Sequence, residues 1–358
     1  MNQNAIAELC SPPYSLDMTL FEEGAPVYYF GTEPDCAPFG RTLGKHGLVT
    51  TIPSLRDPIY DKIEDEDELY MKKCGSRLHY VGPMLGDPGQ LHASTHKTVW
   101  TEEERKLLIQ QSEQSHRRRS MLRPGGNEDL ISIVQKAKAR DRRVVLVSLG
   151  TVVTSDRAAF GWKGSGLGES ITGKELVQSV IQGVIDALGL FSQSISDSVK
   201  ADGSSSPLLV CACGQQPDAL DGIELPPNSI CRASVPQVDI LRCMDSTDLF
   251  VHHGGQNSLM EGGFAGVPAV VCPTFSDQPV NAAKLVALKV GLKVDRPTKS
   301  GNEAVEAYRQ AVANAVNAIV FEEESFSAAA RDLKEQIARS GGEEAAVAVL
   351  LLAIEEGA

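Results

Sequence analysis

The chain has 358 residues, 42% hydrophobic and 23% charged, which supplies a sizeable core and a length that favours two domains over one. Its formal net charge of −13 argues against a nucleic-acid or anionic-membrane surface as partner, because those reward clustered lysine and arginine. The opening MNQNAIAELCSPP lacks the basic start and apolar core of a secretory leader. The longest apolar run, AAVAVLLLAI (Ala345 to Ile354), is too short to span a bilayer, so a cytoplasmic chain without a transmembrane segment is expected.

In chain order, the first half offers three short strands: VYYF (Val27 to Phe30), LVTTI (Leu48 to Ile52) and LHYV (Leu78 to Val81). Between and after them, EDEDE (Glu64 to Glu68) and HRRRSMLR (His116 to Arg123) read as solvated charge runs, the second in a linker-like stretch. The second half alternates strands and helices. RRVVLVSLGT (Arg142 to Thr151) is a strand that ends at a glycine. After an irregular stretch holding GSGLG (Gly164 to Gly168), read as a loop because it lies too far past the strand for a dinucleotide fingerprint, comes the helix Lys174 to Gly189. Then follow the strand PLLVCACG (Pro207 to Gly214), a short strand at Ser229 to Ala233, the helix Pro236 to Met244, the strand DLFVHH (Asp248 to His253) and the helix Asn257 to Phe264. The strand PAVVCP (Pro268 to Pro273), a helix from Val280 to Val290, GLKVD and amphipathic helices complete the chain. Nearly all-apolar strands separated by helices predict an α/β fold with a parallel sheet covered on both faces, and ligands beyond the carboxyl ends of its strands. The eight cysteines lack zinc-site or disulfide-scaffold spacing, and Cys211 and Cys213, two apart on one strand face, are expected to be buried free thiols.

The chemistry concentrates in HHGGQNSLMEGG (His252 to Gly263), a strand, a Gly-Gly turn and a helix start. The first turn of a helix leaves amide N–H groups without intrahelical partners, and two glycines remove the side chains that would keep an anion away. His253, Asn257 and Ser258 add donors, and Glu261, four residues after Asn257, supplies an acceptor for hydroxyl protons such as those of a ribose. The arrangement suits a phosphate followed by a sugar.

Taken with their neighbours, these residues resemble the donor signature of the UDP-glycosyltransferase superfamily. The matching strings are SVPQVDIL (Ser234 to Leu241) and FVHHGGQNSLMEGGFAGVPAVVCPTFSDQPVNAAKLV (Phe250 to Val286), with VLVSLGT (Val145 to Thr151) as the first strand of the same domain. The resemblance is specific over residues 142 to 296 and weak before that. It implies a GT-B-type glycosyltransferase with facing Rossmann-like halves, residues 1–125 being a partial acceptor-domain remnant with linker and residues 126–358 a complete nucleotide-sugar-binding domain. It implies that His253 contacts the donor diphosphate, that the Gly255 amide, Asn257 and Ser258 complete the cradle, and that Glu261 accepts from the ribose. Gln237 and the Val235 backbone would address ribose and base, Thr151 the phosphate, and Asp277 and Gln278 the sugar hydroxyls. Donors gathered around the departing diphosphate suit inverting transfer without a metal, and the resemblance implies a UDP-sugar as donor, a hexose as the group transferred and a hydroxyl of a small lipophilic molecule as acceptor, with no cofactor.

Two positions depart from the plant members: Ser234 and Gln256 stand where tryptophan is common, which leaves the identity of the base open. Nothing before His46 corresponds to the superfamily's acceptor-activating histidine, so no catalytic residue is assigned. The alternative function is a non-catalytic nucleotide-sugar-binding subunit that borrows its base from a second chain supplying the acceptor half, or a pseudoenzyme. A sugar-nucleotide epimerase is a third reading, against which PQVDIL and SDQPVNA speak.

Overall fold

The structure is a computed structural model that describes residues 46–55, 77–85, 130–156, 159–166, 168–189, 206–322 and 324–356. The expected strand at Val27 to Phe30, both charge runs and the boundary after residue 125 lie outside the described residues. Contacts divide the chain into two compact units, residues up to Leu85 with Lys334–Ala358, and Gly86–Leu333.

In the smaller unit, β1 (His46–Val49) and β2 (Arg77–Tyr80) pair in parallel, from His46 opposite Arg77 to Val49 opposite Tyr80. The expected strand Leu48 to Ile52 stops at Val49, and the chain bends into a short 3₁₀ turn, Pro53–Leu55. Pro53 accounts for this, because it donates no ladder hydrogen bond. Ile52, Leu55 and Val81 are buried with Ile337 and Ala346 from the chain's last helices, and the Gly342 N–H donates to the Val81 carbonyl at 2.7 Å.

The larger unit is built on six parallel strands: β3 (Val144–Ser148), β4 (Leu208–Ala212), β5 (Ser229–Arg232), β6 (Leu249–His252), β7 (Ala269–Val271) and β8 (Gly291–Lys293). Their spatial order is β5-β4-β3-β6-β7-β8. Counted within the unit, this is the doubly wound Rossmann order, which reverses direction between its first and fourth strands, here β3 and β6. Consecutive side chains leave opposite faces of a strand, and the core divides accordingly. Val145, Val147, Leu209, Cys211, Leu249 and Val251 pack under α2 (Gly173–Leu188) and α6 (Asn302–Asn317). Val144, Leu146, Leu208, Val210 and Phe250 pack under α1 (Leu130–Lys138), α3 (Gln237–Cys243) and α4 (Gln256–Ala265). Each fully buried valine or leucine contributes about 1.5–3 kcal/mol. A helix thus covers each face, as the all-apolar strands predict.

Local signals set the helix ends. Thr172 and Glu175 close a capping box at the start of α2, and Gly189 ends it in a left-handed conformation. Gly266 ends α4 the same way. Helix α5 (Gln278–Ala287) starts two residues before the expected Val280, with Pro279 in its first turn, where a missing N–H costs nothing. GSGLG lies in the β3–α2 connection, outside regular structure, as expected for its described residues. Cys211 and Cys213 are buried free thiols. Cys231 lies opposite Cys211 in the sheet, and hydrogen bonding to Cys231 together with burial pushes both thiols well above the usual range. Among the described residues no helix is long and apolar enough to cross a membrane.

Candidate functional site

At the reversal point of a doubly wound sheet the loops after the two central strands part and leave a crevice. Here they are the β3–α2 connection and the β6–α4 turn, and His253 joins them. A Cβ on Gly150 would come 2.8 Å from the His253 ring, and a Cβ on Gly255 would come 2.5 Å from its Nε2. The imidazole therefore lies between two glycines that no other residue can replace without moving it, and Gly150 also has φ +77°. Burial lowers the His253 pKa to about 4, an interaction with the Ser148 backbone offsetting part of the effect, so the ring is neutral near pH 7. Its Nδ1 is buried with no hydrogen-bond partner among the described residues. Gly150→Ala is expected to lower stability by about 1–3 kcal/mol through its left-handed backbone. It should also displace the His253 ring and weaken nucleotide binding, both measurable by urea unfolding and calorimetry; unchanged values would contradict this packing.

The turn is rigid. His252 Nδ1 accepts from the Gly254 N–H at 3.1 Å, which puts the proton of this neutral histidine on Nε2. Gly254 has φ +85°, and a Cβ there would meet Val271 at 2.8 Å. Gly255 caps α4 without a side-chain hydrogen bond at the helix start. Asn257 is exposed on the first turn, whereas Ser258 and Glu261 are buried.

Glu261 is 7% exposed and faces α3, where its Oε2 accepts from Gln237 Nε2 at 2.6 Å. The same Nε2 donates to Ser258 Oγ at 3.3 Å. Three of the predicted residues, from two helices, thus form one polar cluster. Val235 is half-buried against the core under α3. Thr151 is exposed at the start of the β3–α2 connection, just past Gly150. That connection is held in place by buried Trp162, which donates to Asp218 at 2.9 Å, and by Arg296, which donates to Ser170 Oγ and to the carbonyls of Gly164 and Ile171. Phe160 from it packs on Phe275 from the β7–α5 connection, with ring centroids 4.7 Å apart.

Comparison with known proteins shows what this half of the chain is similar to. Residues 203–325 match the family described as "UDP-glucoronosyl and UDP-glucosyl transferase". The chain is 31% identical over 150 residues to NDP-glycosyltransferase YjiC of Bacillus subtilis (strain 168), covering 42% of this chain and 35% of that protein. Over 60 residues it is 48% identical to UDP-glucuronosyltransferase 3A2 of Homo sapiens, 17% of this chain and 11% of that one. Over this stretch the chain is similar to UDP-glycosyltransferases. It spans about a third of the length of the first of these relatives and less of the second. Among solved structures, the glycotransferase of kitacinnamycin superposes with a TM-score of 0.50 at 22% identity, over 98% of this chain and 66% of that one. Os79 from O. sativa, in complex with U2F and trichothecene, gives 0.51 at 14%, over 99% and 68%. The fold is the GT-B fold of these glycosyltransferases.

Asp277 and Gln278 make their described contacts inside the protein. Asp277 accepts from the Gln256 N–H at 3.2 Å and from Asn281 Nδ2 at 2.8 Å, and burial raises its carboxyl pKa against those hydrogen bonds. Gln278 is buried, and its Oε1 accepts from Thr274 N, Thr274 Oγ1 and Phe275 N at 2.8, 2.6 and 3.2 Å. Both shape the β7–α5 connection beside the turn, Asp277 from its own loop and Gln278 from the first residue of α5. Asn281, inside the matching string SDQPVNA but with no role expected of it, also donates from Nδ2 to the Gly254 carbonyl at 2.9 Å. Gly254 is 27 positions away, so no local pattern announces this contact.

Proposed function

We propose that this chain binds a nucleotide-sugar, a UDP-sugar in particular, at the β6–α4 turn and serves transfer of its hexose, with inversion, to a hydroxyl of a small lipophilic acceptor. The observation that carries the reading is the match of residues 203–325 to the transferase family over the stretch that builds the turn. Its chemistry supports the assignment. A departing diphosphate gains negative charge, and the start of α4 offers amide N–H groups and the positive end of a helix dipole, worth roughly 0.3–2 kcal/mol. Hydrogen bonds to a charged group add about 1.5–3 kcal/mol each. His253 stands beside these amides as a neutral donor, Asn257 is open to solvent on the first helical turn, and the Gln237–Ser258–Glu261 cluster presents an acceptor for ribose hydroxyls. In this reading Thr151 and the Val235 backbone line the same crevice, Asp277 and Gln278 reach the sugar from the β7–α5 side, and no metal takes part.

The test is calorimetric titration with UDP-glucose alongside an assay of transfer and donor hydrolysis. His253→Ala is expected to weaken donor binding roughly tenfold or more, the equivalent of one lost charged hydrogen bond. Donor binding by the parent without turnover would replace the enzyme reading with that of a binding subunit. Equal binding by both proteins would remove His253 from the diphosphate site.

A further inference from the structure

We propose that Asn281 is a positioning residue: by holding the Gly254 carbonyl, it aims the Gly255 N–H into the site where the diphosphate is read to bind. The proposal rests on the nucleotide-sugar reading above and adds a device to it. Three peptide groups make up the turn. The N–H of the first, at Gly254, is taken by His252 Nδ1, and the N–H of the third, at Gln256, is taken by Asp277 Oδ2. The middle peptide joins Gly254 to Gly255. Its carbonyl accepts from Asn281 Nδ2 at 2.9 Å, while its N–H has no acceptor among the described residues.

A trans peptide is planar, with carbonyl and N–H pointing in opposite directions, so fixing one fixes the other. The structure contains no cis peptide bonds among the described residues. Two glycines in sequence would otherwise let this peptide rotate, since neither has a Cβ to restrict φ and ψ. Asn281 suits the task of stopping it. It is 2% exposed, it sits in α5 one turn after Asp277, and its second N–H hydrogen bonds to Asp277 Oδ2 at 2.8 Å. The amide therefore cannot swing without breaking both bonds. One side chain links the carboxylate that occupies the Gln256 amide to the carbonyl that orients the Gly255 amide, leaving the middle N–H of the turn for an incoming anion.

Two ligands separate positioning from general loss of structure. Uridine has no phosphate and UDP has two, so a residue acting through the Gly255 amide should matter for UDP alone. Asn281→Ala is expected to weaken UDP binding roughly ten- to a hundredfold, the range of one charged hydrogen bond, with uridine affinity unchanged. In the parent, labelling glycine with ¹³C at the carbonyl and ¹⁵N at the amide restricts the coupled signals to the four Gly-Gly peptides of the sequence. The Gly255 resonance should shift on addition of UDP and stay in place with uridine. A Gly255 signal indifferent to UDP, a variant that binds UDP as the parent does, or equal weakening of both ligands would each overturn the proposal. If the alanine variant does not fold, the parent's Gly255 resonance decides alone. A parent that binds neither ligand would overturn the nucleotide-sugar reading itself, and the role of Asn281 with it.

Discussion

Replacing Asp248 with alanine is expected to cost about 3–5 kcal/mol of stability, the range found when one partner of a buried ion pair is removed. The Asp248 side chain is 0% exposed and accepts from Lys138 Nζ at 2.7 Å, the Val144 N–H at 2.7 Å and the Asp245 N–H at 2.8 Å. It therefore ties the start of β3 to the segment entering β6, at the end of the sheet opposite the candidate site. Burial raises its carboxyl pKa against the pull of Lys138 and the two amides. Alanine would leave two amide donors and a largely buried ammonium without this acceptor, although Lys138 keeps Asp245 at 2.9 Å. Asp248→Asn preserves one acceptor oxygen and should lose roughly half as much. Urea unfolding at pH 7 measures all three proteins; an alanine variant within 1 kcal/mol of the parent would show that the staple is dispensable.

Mild acid is the second large effect. Burial, and then the neighbouring His253, lowers the His252 pKa to about 3, and His253 itself stands at about 4. An unfolded histidine titrates near 6.5. Both folded values lie below the unfolded one, so between about pH 6.5 and 4 the unfolded chain holds protons at these sites that the native chain refuses. Their contribution is full above pH 6.5 and is lost as pH falls, at about 1.4 kcal/mol per pH unit for each site and up to about 3 for both. Asp248 and Asp277, whose pKa values burial raises, act with the opposite sign just above the ordinary carboxylate range. Protonating native His252, near pH 3, would also remove the acceptor that holds the Gly254 N–H. Urea midpoints at pH 7, 6 and 5 should decline steadily, and more gently in His252→Gln. A flat profile would mean that neither ring is held neutral by the fold.

The architecture was readable because β3, β4, β6 and β7 of the larger unit are nearly continuous apolar runs. Such a run is buried on both faces, which only a parallel sheet with helices on each side provides, and the termini of β4, β5 and β6 fall within two residues of expectation. The Gly-Gly turn was readable from its local pattern, whereas the Gln237–Glu261 hydrogen bond joins residues 24 positions apart and was not. The internal contacts of Asp277 and Gln278 were not readable, because residue type alone does not name the backbone groups that a carboxylate or an amide will take. Asn257 and Glu261 share a helical spacing, yet one is exposed and the other buried. The helix face fixes direction, while α3, brought alongside by the fold, decides what lies there. Asn281 and Asp248 stayed hidden because their partners are far away in sequence.

That distance also bears on how the molecule is made. Strand β3 carries VVLVS, five buried residues in a row, and Val144 meets Asp248 only 104 positions later. At about 5–20 residues per second, a ribosome needs roughly 5–20 s to deliver that partner. Until then the β6-side edge of β3 lacks its partner strand, and an unpaired apolar edge favours misassembly.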